Sequence, residues 1–72
     1  MKKKILITGS HGYIAKNIAK KLKKKNFNVY GIGRGKWGKK DYKKWGYLDQ
    51  INGNLTKKNL SKYNFKFDFI IH

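Results

Sequence analysis

The sequence predicts an α/β fold: a parallel sheet of about four strands with two helices, in the order β-α-β-β-α-β. Three observations carry this. A short continuous apolar run, Ile5-Leu6-Ile7, ends in a glycine turn. The apolar period then changes at once from that of a strand to that of a helix. A second β-prone run follows one helix later, the spacing that a crossover between parallel strands requires.

Each element has its own local reason. Ile5-Leu6-Ile7 lacks alternation, which suits a strand buried on both faces of a parallel sheet. From residue 13 to 25 the chain reads as a helix, because Ile14, Ile18 and Leu22 recur four apart with Ala15 and Ala19 beside them, while Lys16, Lys20, Lys23 and Lys24 take the other face. Lysines crowd its last turn, where cations complement the helix dipole, and Asn26 is suited to a left-handed cap. Residues 27–32 form the second predicted strand. Residues 33–46 lose all periodicity and read as a basic loop, too long for a plain connector. A third strand is expected over residues 46–51, ending at the turn signal Asn52-Gly53-Asn54. Thr56 is a good N-cap for a short helix over residues 57–63, and Leu55 and Leu60 have the spacing of a hydrophobic staple. Residues 67–71 are the last β-prone run. Such a sheet would end in an unprotected edge, with one face short of covering helices.

Composition narrows the function classes. A chain of 72 residues forms at most one small domain, and with no Cys it has neither disulfides nor a thiolate metal site. The formal charge of +16, from 19 basic and 3 acidic residues, suits an anionic partner. The basic residues are all lysines except Arg34 and are spread along the chain, so solvated faces and a general lysine bias account for most of the charge. Contact with nucleic acid is expected to be non-specific only. The lysines at positions 2–4 resemble the start of a signal peptide, but the apolar run after them has three residues where about 7 to 15 are needed. No stretch approaches the length of a membrane span. A cytoplasmic location with no membrane partner is expected.

The chemistry lies in Thr8-Gly9-Ser10-His11-Gly12-Tyr13-Ile14-Ala15, which joins the first strand to the first helix. Strand, glycines, then helix is the context that gives such a string meaning. Gly9 serves the tight turn, Gly12 lets backbone approach a pyrophosphate, and Ala15 lets the helix pack closely on the strand. Unpaired N–H groups at the helix start would then point at phosphate, with the positive end of the dipole behind them. Residues 9–14, including Ser10, His11, Tyr13 and Ile14, are the candidate cofactor-binding loop.

The spacing Gly9-x-x-Gly12-x-x-Ala15 after Thr8 resembles the TGxxGxxG signature of short-chain dehydrogenases. Gly12-Tyr13-Ile14 is similar to the Gly-aromatic-Ile of their extended branch, the NAD(P)-dependent nucleotide-sugar epimerases and dehydratases. Gly53-Asn54-Leu55-Thr56 stands where that family has Gly-Asp-Leu/Ile-Thr, and Phe69-Ile70-Ile71-His72 is similar to its Val-Ile-His. Ala15 replaces the third glycine and Asn54 the aspartate; the Asn54 amide can still hydrogen-bond an adenine amino group through its carbonyl. The resemblance implies a Rossmann-like fold, with residues 1–72 as the incomplete N-terminal part of an NAD(P)-binding domain. It further implies that Gly33, Arg34, Asn54 and Leu55 complete the cofactor site, and that the parent acts on a nucleotide sugar as a homodimer.

A second string, Gly33-Arg34-Gly35-Lys36-Trp37-Gly38, matches GxGxxG by letter. The residues after it show no apolar stripe, and no acidic residue lies about 20 positions on to hold a ribose, so it reads as a decoy. Its cations alternate with Trp37, Tyr42 and Trp45, a pattern also used to hold single-stranded nucleic acid. The family's Tyr-x-x-x-Lys pair is absent: Tyr13, Tyr30, Tyr42, Tyr47 and Tyr63 are followed four places on by Asn17, Arg34, Gly46, Ile51 and Phe67. No catalytic residue is assigned, and His72 has nothing fixed to orient it as a base. Where NAD-binding proteins place a carboxylate, this chain has Gly33 and Arg34, which favours NADP over NAD as the cofactor. A non-catalytic dinucleotide sensor fits the same residues, and a basic nucleic-acid-binding protein is the further alternative.

Overall fold

The computed structural model describes residues 2–63 and 65–71. Four strands, β1 (Lys4–Thr8), β2 (Asn28–Gly33), β3 (Asp49–Asn52) and β4 (Phe69–Ile71), form one sheet in the order β3-β2-β1-β4. All three pairings are parallel. Helix α1 (Tyr13–Lys24) crosses from β1 to β2, α2 (Lys39–Lys44) from β2 to β3, and the one-turn α3 (Lys57–Leu60) lies between β3 and β4. The expected partial Rossmann-like sheet is present.

Helix α1 ends as its sequence requires. Asn26 takes a left-handed conformation (φ 67°), and the Phe27 amide donates back to the Leu22 carbonyl at 3.1 Å. The 33–46 segment differs from the expected loop, because residues 39–44 are helical. Its short helix needs only two inward residues, Tyr42 and Trp45, three apart, which pack on the core beneath α1. Six residues are too few to display a stripe. Gly46 ends it with φ 94°, and a side chain there would meet the Ala19 carbonyl oxygen at 3.1 Å. Pairing of β3 accordingly starts at Asp49, later than expected, after Tyr47 has turned into the core. Helix α3 stops at Leu60; the Thr56 hydroxyl caps it by accepting from the Asn59 amide at 3.1 Å. Leu60 packs inward while Leu55 remains 45% exposed.

The core has two layers. Ile5, Ile7, Val29 and Tyr47 pack beneath Ala19 and the rest of α1 on one face. On the other, Leu6, Tyr30, Ile32 and Ile51 lie under Tyr63, Phe65 and Phe67. That second face has only the single turn of α3, and its cover is aromatic: Tyr30 meets Tyr63, Phe65 and Phe67 at ring separations of 5.3, 5.0 and 5.6 Å. Such rings bury large apolar area without a helix. Phe67, expected within the last strand, belongs to this cluster, and β4 begins only at Phe69. Among the described residues β4 is an outer strand, with Phe69 and Ile70 about half exposed.

Candidate functional site

The strand order reverses direction at β1: the chain builds outward to β2 and β3 on one side and to β4 on the other. In an open parallel sheet, ligands bind at such a switch point, beyond the C-terminal ends of the strands. The Thr8–Ala15 string occupies this position.

Gly9 has φ 62°, a conformation that L side chains resist, and this turns the chain sharply off β1. The Gly12 amide donates to the Gly9 carbonyl at 2.9 Å, closing the turn, and a side chain at Gly12 would come within 3.2 Å of that oxygen. Gly12 is the N-cap of α1, so no side chain caps the helix and no acidic residue stands in its first turn. The first amides of a twelve-residue helix therefore face the cleft with the dipole behind them. Ala15 packs on the core beneath, as close approach of helix and strand demands.

Two clefts meet at this turn. One is lined by Thr8, Gly9, Gly33, Arg34, Gly53, Asn54 and Leu55, so the candidate residues from β1, β2 and β3 converge. Arg34 and Asn54 are exposed there. The Asn59 side chain holds the Asn54 backbone carbonyl at 2.6 Å. The other cleft, between α1 and β4, is apolar and lined by Gly12, Tyr13, Ile14, Ile18 and Ile71. Tyr13 and Ile14 are 78% and 74% exposed.

Ser10 and His11 point elsewhere. Ser10 is fully buried; its hydroxyl donates to Gln50 Oε1 at 2.7 Å, and its carbonyl accepts from the Tyr47 hydroxyl at 3.0 Å. Burial pushes the Tyr47 phenol far up, so it stays protonated and remains a donor. Gln50 fits because Gly31 opposite has no side chain; a Cβ on Gly31 would collide with Gln50 Oε1. The Ser10 side chain is thus turned into the core, and its amide donates to the Ile32 carbonyl at 3.4 Å. Sequence reasoning missed Gln50 and Tyr47, although a lone glycine within a strand signals such a close approach. The His11 ring lies against Trp37, centroids 4.2 Å apart, and burial followed by the charge of Lys16 pushes its pKa below the usual histidine value.

The second glycine string also enters a helix, α2, but differs at the helix start. The Gly38 amide is already bonded to Asp41 Oδ2 at 3.0 Å, and six residues give little dipole. Trp37, Tyr42 and Trp45 are half-buried and pack against the core. Among the described residues there is no cluster that could hold a metal ion, and no helix long and apolar enough to cross a membrane. His72 lies outside the described residues.

No curated protein and no solved structure matches the chain. The model of the NAD dependent epimerase/dehydratase family matches residues 5–72.

Proposed function

The chain belongs to the NAD dependent epimerase/dehydratase family, and from that premise we propose that residues 8–15 seat the pyrophosphate of a nicotinamide dinucleotide. The observation that carries this is the uncapped start of α1 behind the Gly9 turn, where backbone amides are left for an anion. Gly33, Arg34, Asn54 and Leu55 line the cleft that would hold the adenosine, and the apolar cleft between α1 and β4 would receive the nicotinamide half. When bound, the dinucleotide supplies a hydride acceptor and donor.

In the extended short-chain dehydrogenase reading, the parent reaction is epimerisation, dehydration or reduction of a nucleotide sugar. These 72 residues hold no Tyr-x-x-x-Lys pair, so they bind and orient the cofactor and carry out no turnover alone. The preferred cofactor is NADP: Arg34, at the end of β2, offers a bidentate, charge-assisted contact to a 2′-phosphate where a carboxylate would otherwise hold a ribose hydroxyl. Calorimetric titration with NADP(H) and NAD(H) tests both claims. Arg34→Ala is expected to reduce the NADP preference by about 1.5 to 3 kcal/mol, the range for hydrogen bonds to charged groups. Equal affinities in the native chain, or a preference that survives Arg34→Ala, would remove Arg34 from the site; no binding of either cofactor would overturn the reading as a whole.

A further inference from the structure

His11 belongs to the phosphate loop, yet its ring faces the neighbouring loop. Both ring nitrogens are shut off from water and neither has a hydrogen-bond partner. The ring fills space that exists only because positions 33 and 35 are glycine: a Cβ on Gly35 would lie 2.5 Å from Nε2, and one on Gly33 would lie 3.0 Å from Nδ1. Trp37 closes the other side at 4.2 Å. Trp37 is in turn fixed by Asn52 at the end of β3, whose side-chain amide donates to the Trp37 carbonyl at 2.9 Å. One imidazole thus joins the turn after β1 to the loop that carries Arg34, and through Trp37 to β3.

We propose that His11 is a positioning residue whose neutral ring latches the 33–37 loop, and with it Arg34, onto the phosphate loop, so that selectivity for the 2′-phosphate depends on His11 and fades in acid. The inference rests on the dinucleotide reading above. An imidazolium in this place would need two acceptors and has none. The charged groups around it are unfavourable as well: Lys16 comes from α1, and Arg34 and Lys36 flank Gly35 on the packed loop. The β3 contribution, Asn52, is neutral. The carboxylate of Asp41, in α2, is engaged by the Gly38 amide. Burial and Lys16 therefore hold the latched ring below the ordinary value of 6.5, whereas a released ring regains that value. The latch is then fully favoured above about pH 6.5. It weakens as the pH falls from there toward the lowered value, because the released form takes up the proton first.

Two measurements test this, one of them without cofactor. In the Trp45→Phe chain, Trp37 is the remaining one of the two tryptophans. Its emission is expected to shift to the red between pH 8 and pH 5 as it leaves its packing, and the shift is expected to vanish in His11→Phe, which keeps an aromatic ring and cannot titrate. The ratio of NADP to NAD affinity is expected to fall at least about fivefold more in the native chain than in His11→Phe over the same range. The second variant serves as the reference because a 2′-phosphate itself titrates near pH 6, by analogy with other phosphate monoesters. No emission shift in the titratable chain, which needs no change at His11, overturns the latch. Binding of NADP with the same pH profile in both chains overturns the coupling to Arg34 while leaving the dinucleotide reading intact. Failure of both cofactors to bind at any pH overturns that reading and this inference together.

Discussion

The string Thr8 to Ala15 and the string Gly33 to Gly38 both leave the C-terminal end of a parallel strand and enter a helix, yet their helix starts are left in opposite states. The first opens a twelve-residue helix with no side-chain cap. The second opens a six-residue helix whose N-terminal amide is bonded to its own Asp41. Their undersides differ too. The first rests on buried polar partners, Gln50 and Tyr47, and the second hangs from the exposed side chain of Asn52. A glycine string becomes an anion site when its amides are left free and its backbone is held from behind; the letters alone specify neither condition.

The largest expected effect comes from the underside. Gln50→Leu leaves the buried Ser10 hydroxyl without its acceptor, which costs about 1 to 3 kcal/mol of stability. Asn52→Ala removes contacts at an exposed loop and is expected to cost about 1 kcal/mol or less. Chemical denaturation of the two variants measures both. Equal losses would break the distinction between a loop held from within and one held at the surface.

The next effect is on the glycines themselves. Gly9→Ala forces a side chain into a left-handed backbone, at a cost of about 1 to 2 kcal/mol, although nothing lies within 4 Å of the added Cβ. Cofactor affinity is expected to fall about tenfold, which corresponds to 1.4 kcal/mol. Gly38 has an ordinary φ of −83° and room for a Cβ, whose nearest neighbour is Asp41 Oδ2 at 3.7 Å. Gly38→Ala is therefore expected to leave affinity unchanged. Calorimetric titration that finds Gly38→Ala as damaging as Gly9→Ala would make the second string part of the site.

How much of this was legible follows the same division. The first string, its strand and α1 could be read residue by residue because each signal is local: an apolar run, a four-residue period, a left-handed Asn26. Helix α2 was not legible, since only Tyr42 and Trp45 face the core and the intervening lysines hide the period. The support of Ser10 by Gln50 joins residues 40 apart, and only Gly31 hinted that something large sat against β2. The aromatic cover over the second sheet face was hidden for a different reason. Phe65 and Phe67 have strong β-propensity, and propensity does not say whether a ring joins a strand or lies across one.

The smallest expected effect addresses the helix start directly. Asp41 stands in the first turn of α2, accepts from the Gly38 amide and complements the positive end of the dipole, so Asp41→Ala is expected to cost about 1 kcal/mol. The same change uncovers an amide and removes a negative charge from a loop that already carries Arg34 and Lys36. If free amides and positive charge were sufficient, the second string would then take up phosphate. Six residues align too few peptide dipoles, however, and Gly35 and Trp37 remain committed to His11, so the backbone cannot close around an anion. The expected outcome is a slightly lowered thermal midpoint, one dinucleotide bound per chain as before, and an affinity within about twofold of the native value. A second equivalent of NADP or inorganic phosphate bound by Asp41→Ala in calorimetric titration would show that the cap alone separates the two strings.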